Sequence, residues 1–247
     1  MPAILFAANN ASRANSLPFS IREVHVGNHR TNNKVGKISD SGITFAAVLL
    51  AGGESRRMGR DKAAVVFRDE PLWRRQLRVL RDLAPEKVFV SARTESSWLP
   101  SDTELLLDEP PSHGPLSGLT RAFAQMQTSH LVVLAVDMPF VTREQLRLLC
   151  SLAAEGRGVV PVIGERAEPL AAIYPREAEQ DFIAALAGSD FSLQPLVRKL
   201  AAADKIRMFP VPAEDEHLYR SLNQPNDIKE GRFPNRPPRN DGPAAAG

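Results

Sequence analysis

The chain has 247 residues, of which 43% are apolar and 24% charged, with 31 Lys and Arg against 29 Asp and Glu. This composition is close to the globular average and excludes a collagen, a coiled coil or a wholly disordered chain. The single cysteine, Cys150, excludes an intramolecular disulfide, and no Cys/His spacing typical of zinc sites is present. A mean hydropathy of −0.23, without any apolar run of about 18 residues, excludes a membrane span.

The net charge of +2 is unevenly distributed: residues 1–44 carry +3, residues 229–247 carry +2, and residues 45–228 carry −3. Both ends lack sustained periodicity, so we predict a flexible N-terminal arm, one domain over 45–228 and a disordered C-terminal tail. The arm could equally be an over-extended start of translation. Because the basic tails have no Lys/Arg runs and no aromatic stacking motif, they favour no nucleic-acid partner. The first residues lack the basic segment of a signal peptide, which favours a cytoplasmic protein.

Short apolar runs alternate with amphipathic stretches through the predicted domain. We predict strands at Phe45–Ala51, Lys87–Ala92, Glu104–Leu107, Leu131–Val136 and Ile206–Val211. We predict helices over Leu72–Leu83 and Leu116–Met126, after an N-cap at Thr142, and near 176–187 and 192–203. Two apolar runs around Gly164, within residues 159–174, predict a hairpin or paired edge strands. This alternation predicts a three-layer, Rossmann-like α/β fold with a mostly parallel sheet and a small antiparallel annex.

A glycine-rich loop follows the first predicted strand within Leu49–Lys62 (LLAGGESRRMGRDK). Gly52 and Gly53 would let backbone N–H groups approach a nucleotide, since neither carries a Cβ atom. Arg57 and Lys62 add cations that could neutralise a triphosphate. The loop matches neither the Walker A pattern nor the G-x-G-x-x-G fingerprint, so a basic surface loop remains the alternative.

Two aspartates follow later strands of the predicted sheet. Asp137 comes directly after Leu131–Val136, where a carboxylate would face the same cleft as the glycine loop and suit Mg²⁺. A turn or N-cap aspartate is the simpler alternative. Asp108 comes directly after the predicted strand Glu104–Leu107. The segment from Gly114 to Gly118 begins a predicted helix, and a helix N-terminus can bind phosphate. His113, just before this segment, is more typical of an exposed loop residue than of a catalyst.

The pattern L-A-G-G-x-S-x-R-M-G-x-D-K, matched from Leu50 to Lys62, resembles the signature of the molybdenum cofactor guanylyltransferases within the nucleotidyltransferase superfamily. Cytidylyl relatives usually have A-A-G where this chain has Ala51-Gly52-Gly53, and D-Q-P where it has Asp137-Met138-Pro139. The resemblance covers residues 45–228 and implies a nucleotidyltransferase fold.

The resemblance also implies residue roles. It assigns catalysis to Arg57, Lys62 and Asp137. It assigns nucleotide binding to Leu50, Ala51, Gly52, Gly53, Lys62, Ser91, Asp108, Gly114, Gly118 and Asp137. Asp137 and Asn223 are the implied metal ligands, although Asn223 also fits an ordinary turn at the end of the domain. Ser91 stands where the family often has Asn, and Glu168-Pro169-Leu170 resembles the segment that lines the acceptor's side of the cleft.

The implied reaction transfers GMP from GTP to the terminal phosphate of molybdopterin, with or without molybdenum, and releases pyrophosphate with Mg²⁺ as cofactor. A phosphate monoester has a second pKa of about 6, so the nucleophile is anionic at neutral pH and no general base is required. Catalysis then depends on positioning and charge neutralisation. The implied partners are the two small-molecule substrates and, transiently, proteins that supply or accept the cofactor, with no nucleic acid and no membrane.

Two alternatives remain open on the sequence. A related nucleotidyltransferase that uses CTP or another NTP, for a molybdopterin or a sugar phosphate, would need the same loop and aspartate. A nucleotide-binding adaptor without turnover is the other alternative, and the departure at Ser91 is the feature that favours it.

Overall fold

A computed structural model describes residues 42–52, 62–95, 97–101 and 103–222 of the chain. The predicted arm and tail therefore lie almost wholly outside the described residues, and they stay predictions. Ile43 is buried, and the backbone N–H of Thr44 donates to Ser129 Oγ at 2.9 Å, so the described part of the chain packs from its first residues.

The main sheet contains strands β1 (Phe45–Leu50), β4 (Lys87–Ala92), β5 (Glu104–Leu107), β6 (His130–Ala135), β7 (Gly158–Ile163), β9 (Ala171–Pro175) and β10 (Ile206–Pro210). Their order across the sheet is β10-β7-β9-β6-β1-β4-β5, and β8 (Arg166–Ala167) pairs with β7. Strand β9 is antiparallel to both of its neighbours, while the other six strands of this order run in one direction. The predicted α/β class with a mostly parallel sheet is confirmed.

The helices cover the two faces of this sheet. They are α1 (Leu72–Arg81), α2 (Pro115–Gln125), α3 (Arg143–Leu152), α4 (Glu179–Leu186) and α5 (Leu193–Ala202). Alternate residues of β1 point to opposite faces: Ala47 and Leu49 pack in the core with α1 and α3, whereas Ala46, Val48 and Leu50 pack with α2, α4 and α5. The fold is therefore a sheet between two helical layers, as the sequence predicts.

Element bounds differ from the predictions for local reasons. Helix α1 ends at Arg81 rather than Leu83, because the chain turns there and Ala84 adopts a left-handed φ of 54°. The predicted cap of α3 is confirmed, since Thr142 Oγ1 accepts a hydrogen bond from the Gln145 backbone N–H at 3.2 Å.

The prediction for residues 159–174 is wrong in one respect. Strands β7 and β8 do form an antiparallel pair around Gly164, which has a φ of 58°. The second apolar run does not stay at an edge; as β9 it inserts between β7 and β6 in the main sheet. A small hairpin of β2 (Val66–Phe67) and β3 (Glu70–Pro71), which precedes α1, was not predicted. None of the helices in the described ranges is long and apolar enough to cross a bilayer.

Candidate active site

The carboxyl ends of four neighbouring parallel strands, β6, β1, β4 and β5, meet at one edge of the sheet. Backbone hydrogen bonds continue past the strand ends and tie the following residues together: Ala51 N–H donates to Ser91 O at 2.8 Å, and Val136 N–H donates to Leu50 O at 3.0 Å. The Asp108 N–H donates to Ala92 O at 3.0 Å. This edge is where open α/β sheets bind ligands, and it collects the described residues that the sequence assigned to a nucleotide site.

An ion pair lies at the centre of this edge. Lys62 Nζ donates to Asp137 Oδ2 at 2.6 Å, although the two residues are 75 positions apart in the chain. Both side chains are largely shielded, with exposures of 12% for Lys62 and 22% for Asp137. The pair therefore places a cation suited to phosphates directly against a carboxylate suited to a metal.

The donor set around Asp137 fits a hard cation that arrives with its substrate. Across the described ranges, no group of three or more His, Cys, Asp and Glu side chains could hold a metal ion. Mg²⁺ is commonly bound by one or two carboxylates together with substrate phosphates and water, because it dehydrates reluctantly. One partly exposed carboxylate beside Lys62 meets that requirement and would not hold a metal permanently by itself.

A second carboxylate follows β5, which is separated from β6 by two strands, β1 and β4. Both oxygens of Asp108 accept hydrogen bonds, from Ser91 Oγ at 3.3 Å and from Ser112 Oγ at 2.7 Å. Ser91 therefore keeps a polar role where the family often has Asn. Ser112 was missed by the sequence analysis, and its position two residues before Gly114 is the signal that could have indicated it. The two hydroxyl donors hold the carboxylate toward the strand ends.

Gly118 has a packing role in this structure. A Cβ atom built on Gly118 would lie 2.2 Å from Ser91 Oγ and 3.1 Å from Leu50 Cδ2. Only a glycine lets helix α2 approach the ends of β1 and β4 this closely. The residue therefore shapes the nucleotide region through the distance between helix and sheet, and its assignment as a direct nucleotide contact stays a prediction.

The N-terminus of α2 faces the same region. Gly114 is the residue before the helix and has a φ of 66°, a left-handed value that favours glycine. Ser117 Oγ accepts from the backbone N–H of His113 at 2.9 Å, which fixes the turn. The His113 ring is not free: it stacks on Phe191 with ring centroids 3.7 Å apart.

The segment assigned to the acceptor's side borders a cleft of about 460 Å³ that is lined in part by Arg166, Glu168 and Tyr219. Burial raises the pKa of the Glu168 carboxyl above its ordinary value, and Arg166 partly opposes this shift. Burial, with the nearby charges of Asp215 and Glu168, raises the pKa of Tyr219 to about 12. Leu170 O accepts from Ala135 N–H at 2.8 Å, so this segment is bonded to the strand that leads to Asp137.

Several predicted residues lie outside the described residues. These are Gly53, Arg57 and Asn223. All of the predicted site residues that the structure describes lie on or beside the same edge of the sheet. They are Leu50, Ala51, Gly52, Lys62, Ser91, Asp108, Gly114, Gly118 and Asp137.

Comparison with known proteins places this geometry in context. Residues 47–205 match a protein family described as the MobA-like NTP transferase domain. The chain is 36% identical over 193 residues to a probable molybdenum cofactor guanylyltransferase of Opitutus terrae, covering 77% of this chain and 96% of that one. It is 33% identical over 186 residues to a molybdenum cofactor guanylyltransferase of Pseudomonas putida, covering 74% and 95% of the two chains.

Solved structures share the fold. The molybdopterin-guanine dinucleotide biosynthesis protein A of Archaeoglobus fulgidus superposes with a TM-score of 0.60 at 24% identity, covering 75% of this chain and 96% of that one. A nucleotidyl transferase of Methanothermobacter thermautotroptrophicus superposes with a TM-score of 0.61 at 14% identity, covering 74% and 94%.

Proposed function

Because this chain belongs to the MobA-like NTP transferase family, we propose that it transfers GMP from GTP to the terminal phosphate of molybdopterin, with or without molybdenum. The observation that carries this proposal is the Lys62–Asp137 pair at 2.6 Å, at the edge of the sheet where four parallel strands end. The pair supplies the two charges that a nucleoside triphosphate and its cation require. The names of the relatives from Opitutus terrae and Pseudomonas putida support the choice of guanine.

The nucleotide occupies the β1, β4 and β5 side of this edge. The backbone from Leu50 to Gly52, together with Gly53, contacts the base and ribose, and Asp108 accepts hydrogen bonds from the nucleotide. Gly114 brings the N-terminus of α2 toward it, and Ser91 and Gly118 set the depth of the pocket. Lys62 and Arg57 neutralise the phosphates.

Asp137, with Asn223 as a further oxygen ligand, would hold Mg²⁺. When bound, the ion would neutralise negative charge on the phosphates of the nucleotide. The fit rests on one hard carboxylate with an ammonium partner, and within the described residues it belongs to no group of three or more His, Cys, Asp or Glu side chains that could hold a metal ion.

The chemistry needs no proton acceptor from the protein. A terminal phosphate oxygen of the acceptor attacks the α-phosphorus of GTP, the new P–O bond forms, and the bond to the β-phosphate oxygen breaks. Pyrophosphate leaves with the electron pair. Since the attacking phosphate is already anionic near neutral pH, the residues of this chain bind, orient and neutralise.

Residues 45–228, together with the packed residues Ile43 and Thr44, carry this activity, and the remaining segments before and after them are dispensable for it. The small-molecule partners are GTP and the molybdenum cofactor, with transient contacts to the proteins that supply and receive the cofactor. The reaction takes place in the cytoplasm, where GTP is available.

The direct test is pyrophosphate release by the purified chain with molybdopterin and, in separate reactions, GTP, CTP, ATP and UTP. We expect release with GTP and formation of the guanine dinucleotide product by mass spectrometry, and its loss in Asp137→Asn. Preferential release with CTP would favour the cytidylyl alternative. Nucleotide binding without release in any reaction would favour the adaptor.

A further inference from the structure

We infer that Gln76 and Arg75, two consecutive residues of helix α1, are positioning residues for Asp137. Their side chains donate hydrogen bonds to backbone carbonyls on both sides of this carboxylate, Gln76 from the core and Arg75 from a half-buried position. The inference rests on the proposed function only in taking Asp137 as the carboxylate that meets the cation and the phosphates.

Gln76 is a polar residue where the helix otherwise buries leucines. It is 0% exposed and lies between Leu72, Leu77 and Leu80 on the face of α1 that packs against the sheet. Its Nε2 donates to Met138 O at 2.5 Å and lies 3.5 Å from Ala135 O. These two carbonyls flank Asp137 on either side, so a single buried amide group contacts both ends of the turn that carries it.

The carbonyl oxygen of the Gln76 side chain indicates that the residue is present for its hydrogen bond to Met138 O. Oε1 of Gln76 is buried and has no hydrogen-bond partner within the described residues. A buried, unpaired acceptor costs about 1–3 kcal/mol, so glutamine is a poor choice for filling space on an apolar helix face. What a leucine or methionine could not supply is the donor to Met138 O. Within the described residues, the Gln76 side chain forms hydrogen bonds to the backbone carbonyls of the turn around Asp137 and to no other group.

Arg75 holds the next carbonyl of the same turn. Its Nε donates to Pro139 O at 2.7 Å. Burial, together with the neighbouring cations Arg68 and Arg78, lowers the pKa of Arg75 from its ordinary value, so the guanidinium occupies an unfavourable place for a charge. The Nε–H bond to Pro139 O is a favourable contact that this position provides.

Two further backbone bonds complete the support. Val136 N–H donates to Leu50 O at 3.0 Å, and Leu222 N–H donates to Asp137 O at 2.8 Å. Consecutive residues from Ala135 to Pro139 are therefore each fixed by a partner from β1, α1 or the end of the described chain. Removing the donors of α1 leaves Met138 O and Pro139 O without these partners, while the bonds to Leu50 O and from Leu222 N–H remain. Groups that orient ligating side chains typically change metal affinity or activity about 10- to 100-fold when removed.

The test uses Gln76→Met, which keeps an unbranched side chain of similar length and removes the donor. The matched control is Thr128→Val, because Thr128 is also buried and also donates to a backbone carbonyl. It donates to His130 O at 3.0 Å, at the end of β6 opposite to Asp137. We expect Gln76→Met to raise the dissociation constant for Mn²⁺ about tenfold, by titration of the free-ion electron paramagnetic resonance signal, and Thr128→Val to leave it within about twofold.

Kinetics separate positioning from general damage to the fold. We expect Gln76→Met to lower kcat for GMP transfer about tenfold while KM for GTP changes less than about threefold, because the carboxylate is displaced and the base site is not. A folded Gln76→Met protein with wild-type Mn²⁺ affinity and wild-type kcat would overturn the inference.

A second pair of variants keeps the inference testable if Gln76→Met does not fold. Arg75→Lys retains the charge and loses the Nε donor. Its control is Arg147→Lys, because Arg147 lies outside the site and its Nη2 donates to a backbone carbonyl, Asp82 O, at 3.1 Å. Weaker Mn²⁺ binding in Arg75→Lys alone supports the inference, and equal binding in both overturns it. If the wild-type chain makes no guanine dinucleotide but Gln76→Met or Arg75→Lys still binds Mn²⁺ more weakly than the wild-type chain, the proposed reaction is refuted and the positioning role stands.

Discussion

Replacing Lys62 by methionine should change metal binding and nucleotide binding in opposite directions. Lys62 Nζ lies 2.6 Å from Asp137 Oδ2, so in this structure the ammonium occupies the carboxylate oxygen that a metal cation would use. A cation that binds before the nucleotide must displace this ammonium. Lys62→Met removes the competitor, and Mn²⁺ binding in the absence of nucleotide should therefore become tighter.

The size of the effect follows from the geometry of the pair. Two unit charges 2.6 Å apart attract by about 6 kcal/mol at an effective dielectric constant of about 20. Desolvation offsets most of this attraction, since the two side chains are only 12% and 22% exposed. A hydrogen bond between charged groups has a net value of about 1.5–3 kcal/mol. Because each 1.4 kcal/mol is tenfold, the Mn²⁺ dissociation constant should fall about 10- to 100-fold.

The assay is calorimetric titration of Mn²⁺ into the nucleotide-free protein, followed by titration of GTP with Mg²⁺ present. GTP affinity should fall in Lys62→Met, because the phosphates lose their cation. Lys205→Met is the control: Lys205 Nζ forms an ion pair of the same length with Asp181 Oδ2, 2.6 Å, on the α4 side of the protein. Unchanged or weaker Mn²⁺ binding in Lys62→Met would refute the competition between ammonium and metal.

Three further predictions address the nucleotide and acceptor regions. Asp108→Asn should weaken GTP binding about tenfold, measured by calorimetry, because an amide presents one acceptor oxygen where the carboxylate presents two; wild-type affinity would place the nucleotide elsewhere. Gly118→Ala should destabilise the fold by about 1–3 kcal/mol in denaturant unfolding, since its Cβ would lie 2.2 Å from Ser91 Oγ, and the added change Ser91→Ala should recover part of the loss; additive losses would contradict the clash. Glu168→Gln should raise Tm at about pH 7.5 and leave it unchanged at about pH 4. Burial raises the folded-state pKa of Glu168 above its unfolded-state value of about 4.3, so the folded protein loses stability as pH rises from that unfolded-state value through the folded-state pKa. Below about pH 4.3 the carboxyl is mostly protonated in both states, and this loss disappears. An equal change in Tm at both pH values would show that the charge is not the cause.

The layered fold could be predicted because its main elements follow simple periodicities. The apolar run predicted as Leu131–Val136 is strand β6 at His130–Ala135, and the side-chain cap at Thr142 is present. Strands β2 and β3 have two residues each, which is too short for any periodic pattern. The place of β9 inside the sheet is a matter of tertiary pairing, and a local pattern of apolar residues contains no information about it.

The candidate site could be predicted in its residues and not in its contacts. Motifs indicated both Lys62 and Asp137, yet their direct pairing spans 75 positions of the chain. Gly118 was assigned to the nucleotide, whereas its approach to Ser91 depends on how α2 lies on the sheet. Gln76 was passed over as a polar residue within an amphipathic helix; its place one turn from both Leu72 and Leu80 was the signal that it faces the core.

The uninterrupted sheet has a mechanical consequence for catalysis. Within the described residues, neighbouring strands are hydrogen-bonded without a break from β5, on the proposed nucleotide side, to β10, beyond the cleft that Glu168 lines. On the proposed assignment, the two substrates therefore bind along one continuous ladder of hydrogen-bonded strands. We therefore expect the described sheet to move little during turnover, and side chains such as that of Lys62 to make the adjustments that phosphate transfer requires.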